Sequence, residues 1–389
     1  MRPLSTSQIV FLSVLFVSLF PLKVFSGGEW EEWKRFSWPT GYTVEGVTLK
    51  GLSGITFDPE KGVFHTISDG KGVGEARVFT LSPEWEEGLL TGMKWTGVIG
   101  LTLRGKPFPP MDGEGIALDH RRGWLYVANE GFASSPSEYG RYPWVAKFDW
   151  PGGEWEQALP LPNEFMPRDA RGNRVPPGDK AQVAGVRKNL GPESLGLSPD
   201  GQTLFTANEA ALKQDYEGSY DFRRQQAQNT LVRVVKFGGV PERPKVLGQR
   251  AYRTDPGARV LFVPAFNTLS ALEVMDDRGR LLMLERGVQG PVLATGNFRI
   301  RLYEVDFADS EATDISALSA LAGESIIPLS KRLVWEGTEG MDNLEGVARG
   351  PEVEGRKTLF LVSDNNSNAQ QETQVIVLRQ KAEKDSREN

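Results

Sequence analysis

The sequence predicts an all-β protein, a single closed β-propeller of about five to six four-stranded blades. Three observations predict it. A hairpin-like segment recurs five times, its copies begin anew every 60 to 80 residues or so, and no 10-to-15-residue helical pattern separates the strands. Closed repeat folds grow by adding units around an axis, so 389 residues fit one large domain.

The copies run from Leu52-Ser53-Gly54-Ile55 to Ser68-Asp69, from Gly113-Glu114-Gly115-Ile116 to Asn129-Glu130, and from Pro192-Glu193-Ser194-Leu195 to Asn208-Glu209. Two more run from Leu269-Ser270-Ala271-Leu272 to Leu284-Glu285 and from Leu344-Glu345-Gly346-Val347 to Ser363-Asp364. Each reads as an apolar strand, a turn rich in Asp, Pro and Gly, and a second strand. Sixteen residues separate Ser53 from Asp69, Glu114 from Glu130 and Glu193 from Glu209. The fourth copy, closed on Glu285, is one residue shorter, and the fifth has a longer turn through Pro351 to Arg356. Further strands are expected at Trp144 to Asp149, Leu231 to Phe237, Phe298 to Val305 and Thr373 to Leu378. The segment Tyr42 to Leu49 is expected to complete the last blade and close the ring. A sixth, degenerate blade has room in residues 132 to 190 or 210 to 265.

Flanking segments fall outside this repeat. Arg2, the apolar run Ile9 to Phe20, the break at Pro21 and the compact residues Val24-Phe25-Ser26 form an export signal over residues 1–26, with an uncleaved anchor as the alternative. The mature propeller then spans residues 27–380, followed by a charged tail over 381–389. Export implies a periplasmic or extracellular protein, with no membrane attachment once the leader is removed. The chain holds no cysteine, which excludes a disulfide framework, thiolate metal sites and cysteine nucleophiles. Its net charge of −6 becomes −8 after loss of Arg2 and Lys23, which disfavours nucleic acid as a partner.

Positions equally far from a hairpin turn are neighbours across the ladder. If the repeated hairpins are the inner pairs of their blades, Asp69, Glu114, Glu130, Glu193, Glu209, Glu285, Glu345 and Asp364 converge near the axis. Like charges so crowded oppose one another's ionisation, and a hard cation relieves this. Calcium suits irregular carboxylate and amide ligation, with Asn129, Asn208, Asn343, Asn365 and Asn366 as neutral donors. Two histidines and no cysteine disfavour zinc. Capping of loops by the same acids is the competing reading.

Other chemistries find little support. His65 falls on a packing position of the repeat and His120 in a turn; GxSxG, GxxxxGK[ST] and HExxH are absent. Gly70-Lys71-Gly72-Val73-Gly74 reads as a flexible loop at the site face. The insertion Pro160 to Asn189 carries Arg168, Arg171, Arg174, Lys180, Arg187 and Lys188 and feeds into Glu193, which places cations beside the acids.

These motifs together resemble the phytase-like domain family, the "esterase-like activity of phytase", over about residues 48 to 380. The resemblance rests on the repeat openings above, on Asp112-Gly113-Glu114-Gly115-Ile116, Arg187-Lys188-Asn189-Leu190-Gly191-Pro192-Glu193 and Ser198-Pro199-Asp200-Gly201. It continues through Leu284-Glu285-Arg286, Asp342-Asn343-Leu344-Glu345-Gly346 and Ser363-Asp364-Asn365-Asn366 with Thr373-Gln374. It implies a propeller, export and hydrolysis of a phosphoester or carboxylic ester. Asn365 stands where related sequences usually carry a second acid, and the Asp-Asp-Pro-Ala-Ile-Trp segment of calcium-dependent propeller phytases is absent.

The expected function is a calcium-dependent hydrolase acting on a small anionic ester. Glu114 or Glu193 would act as general base, and Arg187 and Arg286 would stabilise developing negative charge. Asp69, Glu130, Glu209, Glu285, Asn343, Glu345 and Asp364 would hold the metal. A calcium-dependent lactonase or a non-enzymatic binding propeller with a structural cation are the alternatives.

Overall fold

The computed structural model describes residues 28–216, 229–257, 266–288 and 295–382. The expected leader and most of the expected tail therefore lie outside the described residues. Five four-stranded antiparallel sheets stand around one axis. The first blade is Leu52–Asp58, Val63–Ser68, Arg77–Glu86 and Leu89–Gly100, and the second is Gly113–Asp119, Trp124–Asn129, Trp144–Asp149 and Trp155–Ala158. The third is Pro192–Leu197, Thr203–Asn208, Leu231–Gly238 and Lys245–Arg253, and the fourth is Asn267–Val274, Arg280–Val288, Phe298–Asp306 and Lys331–Gly337. Asn343–Arg349, Thr358–Asp364, Glu372–Gln380 and the N-terminal Trp30–Pro39 make the fifth. Among the described residues there is no sixth blade; the expected room for one holds short ladders, 3-10 turns and the outer strands of its neighbours.

The closing strand differs from expectation. Trp30–Pro39 pairs antiparallel with Glu372–Gln380, from Trp30 opposite Gln380 to Pro39 opposite Glu372. Tyr42 to Leu49 instead folds into a short hairpin, Thr43–Val44 with Val47–Thr48, whose Val44 and Leu49 pack into the core between the fifth and first blades. The aromatic spacing explains the preference. Trp33, Phe36 and Trp38 lean on that core, and the Trp38 ring meets Trp95 edge-on at 5.5 Å. A strand carrying three aromatic rings buries more apolar surface than the shorter Tyr42–Leu49 segment offers.

The first strand of every blade lies innermost, and each touches the next around a complete circle. Small residues make this approach possible. A Cβ on Gly54 would stand 2.6 Å from the Glu114 carbonyl oxygen, and one on Gly115 2.7 Å from the Leu195 Cβ. Gly54, Gly115, Ser194, Ala271 and Gly346 hold this position in successive blades. The next residue in each, Ile55, Ile116, Leu195, Leu272 and Val347, is buried in the core between its blade and a neighbour, and the inner strands leave a void of only about 10 Å³ on the axis at this level.

Candidate functional site

Every inner hairpin slips register by one residue at its open end. The slip falls between Leu52 and Gly54, Gly113 and Ile116, Pro192 and Ser194, Leu269 and Ala271, and Leu344 and Gly346. A bulge of this kind leaves one residue unpaired and re-aims its side chain. The extra residues are Ser53, Glu114, Glu193, Ser270 and Glu345. Next after Ser68, Asn129, Asn208, Glu285 and Ser363 come Asp69, Glu130, Glu209, Arg286 and Asp364, of which Arg286 and Asp364 still lie within their ladders, opposite Thr268 and Asn343. Two rings of five side chains thus face one end of the axis, and four of the bulged five and all of the outer five line a cavity of about 190 Å³.

The fourth blade corrects the sequence reading. Its closing residue is Arg286, sixteen residues after Ser270, as in the first three blades. Glu285, one residue earlier, projects from the opposite side of its strand because strand side chains alternate. It accepts hydrogen bonds from Tyr252 Oη at 2.6 Å, Lys331 Nζ at 2.6 Å and the Asp255 amide at 2.9 Å, away from the cavity. Its expected place among the metal ligands is therefore not where the structure puts it. Equal spacing in four copies was the signal that identifies Arg286 instead.

Arg187 is a second correction. Its buried guanidinium donates to the carbonyls of Ala211, at 3.2 Å, and Lys213, at 3.4 Å, and it does not line the cavity. From the basic insertion, only Asn189 at its end reaches that cavity. Of the neutral donors, Asn343 and Asn366 line it. Asn129 and Asn208 spend their amides on backbone groups, Asn129 accepting from the Asp112 amide at 2.8 Å and Asn208 from the Arg233 amide at 2.8 Å, and Asn365 donates to the Thr373 hydroxyl at 2.9 Å and the Leu49 carbonyl at 3.3 Å.

Two residues unremarked as site groups in the sequence complete the cluster. Asp112, fully buried, precedes the second inner strand, and one of its oxygens lies within 4.8 Å of one oxygen each of Glu114 and Glu130. Lys71, from the glycine-rich loop, brings Nζ to 2.8 Å from Asp112 Oδ1 and 3.3 Å from Asp69 Oδ2. Arg286 is the second cation. It donates to Glu209 Oε1 at 2.7 Å, to Asn343 Oδ1 at 2.8 Å and to Glu345, whose Oε1 also accepts from Asn343 Nδ2 at 2.9 Å.

Two cations do not neutralise seven cavity-lining acids and Asp112. Burial pushes Glu114 well above the usual carboxylate range, and Glu193, Asp112, Glu130 and Glu345 push it further. Burial likewise raises Glu193, reinforced by Glu209, Glu130 and Glu345 and only partly opposed by Arg286. Asp364 is raised by burial, then by Glu345 and Asp69. For Arg286 burial favours the neutral form, but Glu345, Glu209, Glu193 and Glu114 outweigh it and hold the proton.

The sign of the resulting pH dependence follows. Acids whose folded values stand above their unfolded values of about 4 bind more protons when folded, so their stabilisation is complete at low pH and is lost as pH rises through the folded values. The cation-free melting temperature is expected to climb as pH falls from about 8 to 5.5. Buried His65 works oppositely, since burial lowers its pKa to about 4 and its contribution is lost as pH falls below the ordinary value of 6.5. A cation held by the cluster would remove the acids' contribution and leave that of His65, so melting curves against pH with added calcium and with chelator isolate the acids. Parallel curves would show that the cluster titrates normally.

The family described as phytase-like, esterase-like activity of phytase, matches residues 47–367. The chain belongs to the phytase-like family. In this phytase-like protein the match spans the four complete blades and the inner hairpin of the fifth. A search of curated proteins gives no match. Among solved structures, it is similar to hydrazine synthase of Kuenenia stuttgartiensis at 14% identity and TM-score 0.34, over 83% of this chain and 81% of that one. It is similar to a periplasmic gluconolactonase of Pseudomonas aeruginosa at 13% identity and TM-score 0.35, over 86% of each chain. It is also similar to a GH43 β-1,3-galactosidase solved with galactodeoxynojirimycin, at 11% identity and TM-score 0.46, over 88% of this chain and 94% of that one. These likenesses are too distant to bear on chemistry.

Proposed function

We propose that this phytase-like chain is an exported, calcium-dependent hydrolase of small phosphoesters or other anionic esters. One observation carries the reading: Glu193 Oε2 and Asp112 Oδ2 are buried in the axial cluster with no hydrogen-bond donor among the described residues, while Asp112 Oδ1 already has the Lys71 ammonium at 2.8 Å. A buried, partnerless carboxylate oxygen is costly unless a cation satisfies it. The donor set fits calcium, being all oxygen, irregular and rich in carboxylate. Asp112, Glu114 and Glu130, mutually within 4.8 Å, would hold it. Bound there, the ion would polarise the ester and lower the pKa of water.

The chain's own residues supply the rest. Glu193 Oε2, left open and made basic by burial and by Glu209, Glu130 and Glu345, takes the proton of the attacking water. Lys71, with 39% of its side chain exposed, stands at the mouth, where an anionic ester meets its ammonium. Arg286, clamped by Glu209, Glu345 and Asn343, presents a fixed positive charge to the negative charge that develops in the transition state. The partly exposed cation recruits and the buried one stabilises.

A structural role for the cluster has one observation in its favour, because Glu130 accepts from the Gly191 amide at 2.9 Å and Asp364 from the Asn366 amide at 2.8 Å, as loop caps do. A panel of phosphomonoesters, carboxylic esters and lactones, assayed with calcium and with chelator, separates the two. Turnover of the phosphorylated or carboxylate-bearing members with calcium alone is expected. A calcium-induced rise in melting temperature without turnover of any member would leave the cation structural.

A further inference from the structure

A second cavity, larger than the carboxylate one, lies at the other end of the axis. It encloses about 400 Å³, against about 190 Å³ for the carboxylate cavity. Between the two the axis narrows to a void of about 10 Å³ at the level of Ile55, Ile116, Leu195, Leu272 and Val347. All five blades contribute to its wall through the turn ends of their inner strands, so it is an axial feature of the fold. Its volume lies within the range of pockets that enclose small organic molecules.

We propose that this second pocket binds a small organic anion with an apolar body, a carboxylate or sulfonate on a ring or short hydrocarbon. The lining includes the apolar side chains of Phe57, Ile116, Leu195, Leu197 and Met275. The polar anchor is Arg349, from the fifth blade. Its Nε donates to Oε1 of Glu273 at 2.9 Å, and that carboxylate comes from the fourth blade with only 12% of its side chain exposed. The pairing fixes the guanidinium plane, while its two Nη groups donate to no protein acceptor among the described residues and 37% of the side chain stays exposed. Arg121 and Lys357 stand at the rim and form no ion pair among the described residues.

Acids are present in this pocket, and most are already engaged. Asp119 is taken by Arg122 at 2.7 Å and Glu273 by Arg349, which leaves Glu352 as the unpaired acid against two unpaired cations and a half-free guanidinium. The sign of the pocket is therefore opposite to that of the carboxylate cavity. A guanidinium with a free edge accommodates a planar oxyanion through two parallel hydrogen bonds. A blind pocket with a closed floor suits a small molecule, because a chain passing through would need a second opening.

The full chain is titrated with 8-anilinonaphthalene-1-sulfonate, which carries a sulfonate on an apolar ring system, and fluorescence is read against concentration. One saturable site is expected, competed by 1-naphthoate and not by equal concentrations of inorganic phosphate. Arg349→Met is expected to weaken it about tenfold, the loss of a charge-assisted pair. Arg121→Ala with Lys357→Ala, on exposed residues that leave the fold alone, is expected to weaken it about threefold and serves if the first variant melts early. Glu193→Gln, at the far end of the axis, should bind the probe as the parent does. Absence of a saturable site overturns the proposal, as does binding unchanged in both cation variants, or displacement by phosphate as readily as by naphthoate.

Discussion

Glu193→Gln is expected to raise the melting temperature of chelator-treated protein and to shrink the rise that calcium produces. In the cation-free protein this carboxylate is buried beside Glu209, Glu130 and Glu345, and its Oε2 is partnerless. A neutral amide of nearly the same shape removes one member of a repelling group, and its N–H donors find carboxylate acceptors on every side. Relief of a buried unsatisfied group is worth about 1–3 kcal/mol, or roughly 1–4 °C for a chain of this size. With calcium the effect reverses, since one charge that attracts the ion is gone and stabilisation by mass action falls. The same substitution removes the proposed base and should lower kcat by about a hundredfold or more. Melting curves with calcium and with chelator read the first two effects, and steady-state kinetics the third. If the curves match the parent's in both conditions, Glu193 is a structural cap and the hydrolase reading loses its base.

Gly54→Ala is expected to cost about 2–3 kcal/mol, the toll of forcing atoms into a filled interior, and to lower the melting temperature by roughly 2–4 °C. The added Cβ would stand 2.6 Å from the Glu114 carbonyl oxygen and 3.1 Å from the Ile116 amide nitrogen, both backbone atoms of the next blade. A flexible side chain could swing aside; an inner strand held in its own ladder and against two neighbours does not. The displaced strand carries Glu114, so the calcium response should fall with stability. Ala271, in the equivalent place of the fourth blade, provides the comparison, and Ala271→Gly should lose far less. A Gly54→Ala melting temperature within about 1 °C of the parent's would mean that the inner strands meet with slack between them.

Much of the fold was legible in the sequence because a propeller blade is a local object. The strand, turn and strand of each inner hairpin lie within a few tens of residues, their alternation is set by strand geometry, and the motif recurs. The acids that meet at the axis were legible for the same reason: Glu114, Glu130, Glu193, Glu209, Glu345, Asp69 and Asp364 each stand at a fixed distance from a turn, and repetition carries them to one end.

What required the tertiary structure depends on register and on contacts between distant segments. A slip of one residue turns a side chain to the other face, so Glu285 and Arg286 exchange places when the fourth hairpin is read one residue short. The ring is closed by Trp30–Pro39 rather than by Tyr42 to Leu49, a choice made between strands more than 300 residues from their partner by the aromatic surface each buries. Arg187 lies close in sequence to Glu193 and yet folds back onto the carbonyls of Ala211 and Lys213. Lys71 and Asp112 sit on loops with no repeat to mark them, and only the packing of the first two blades brings that ammonium to that carboxylate. The sequence by itself determined the blades and the convergence of negative charge; the tertiary structure decided which cations answer it, because charges far apart along the chain meet only when the circle is closed.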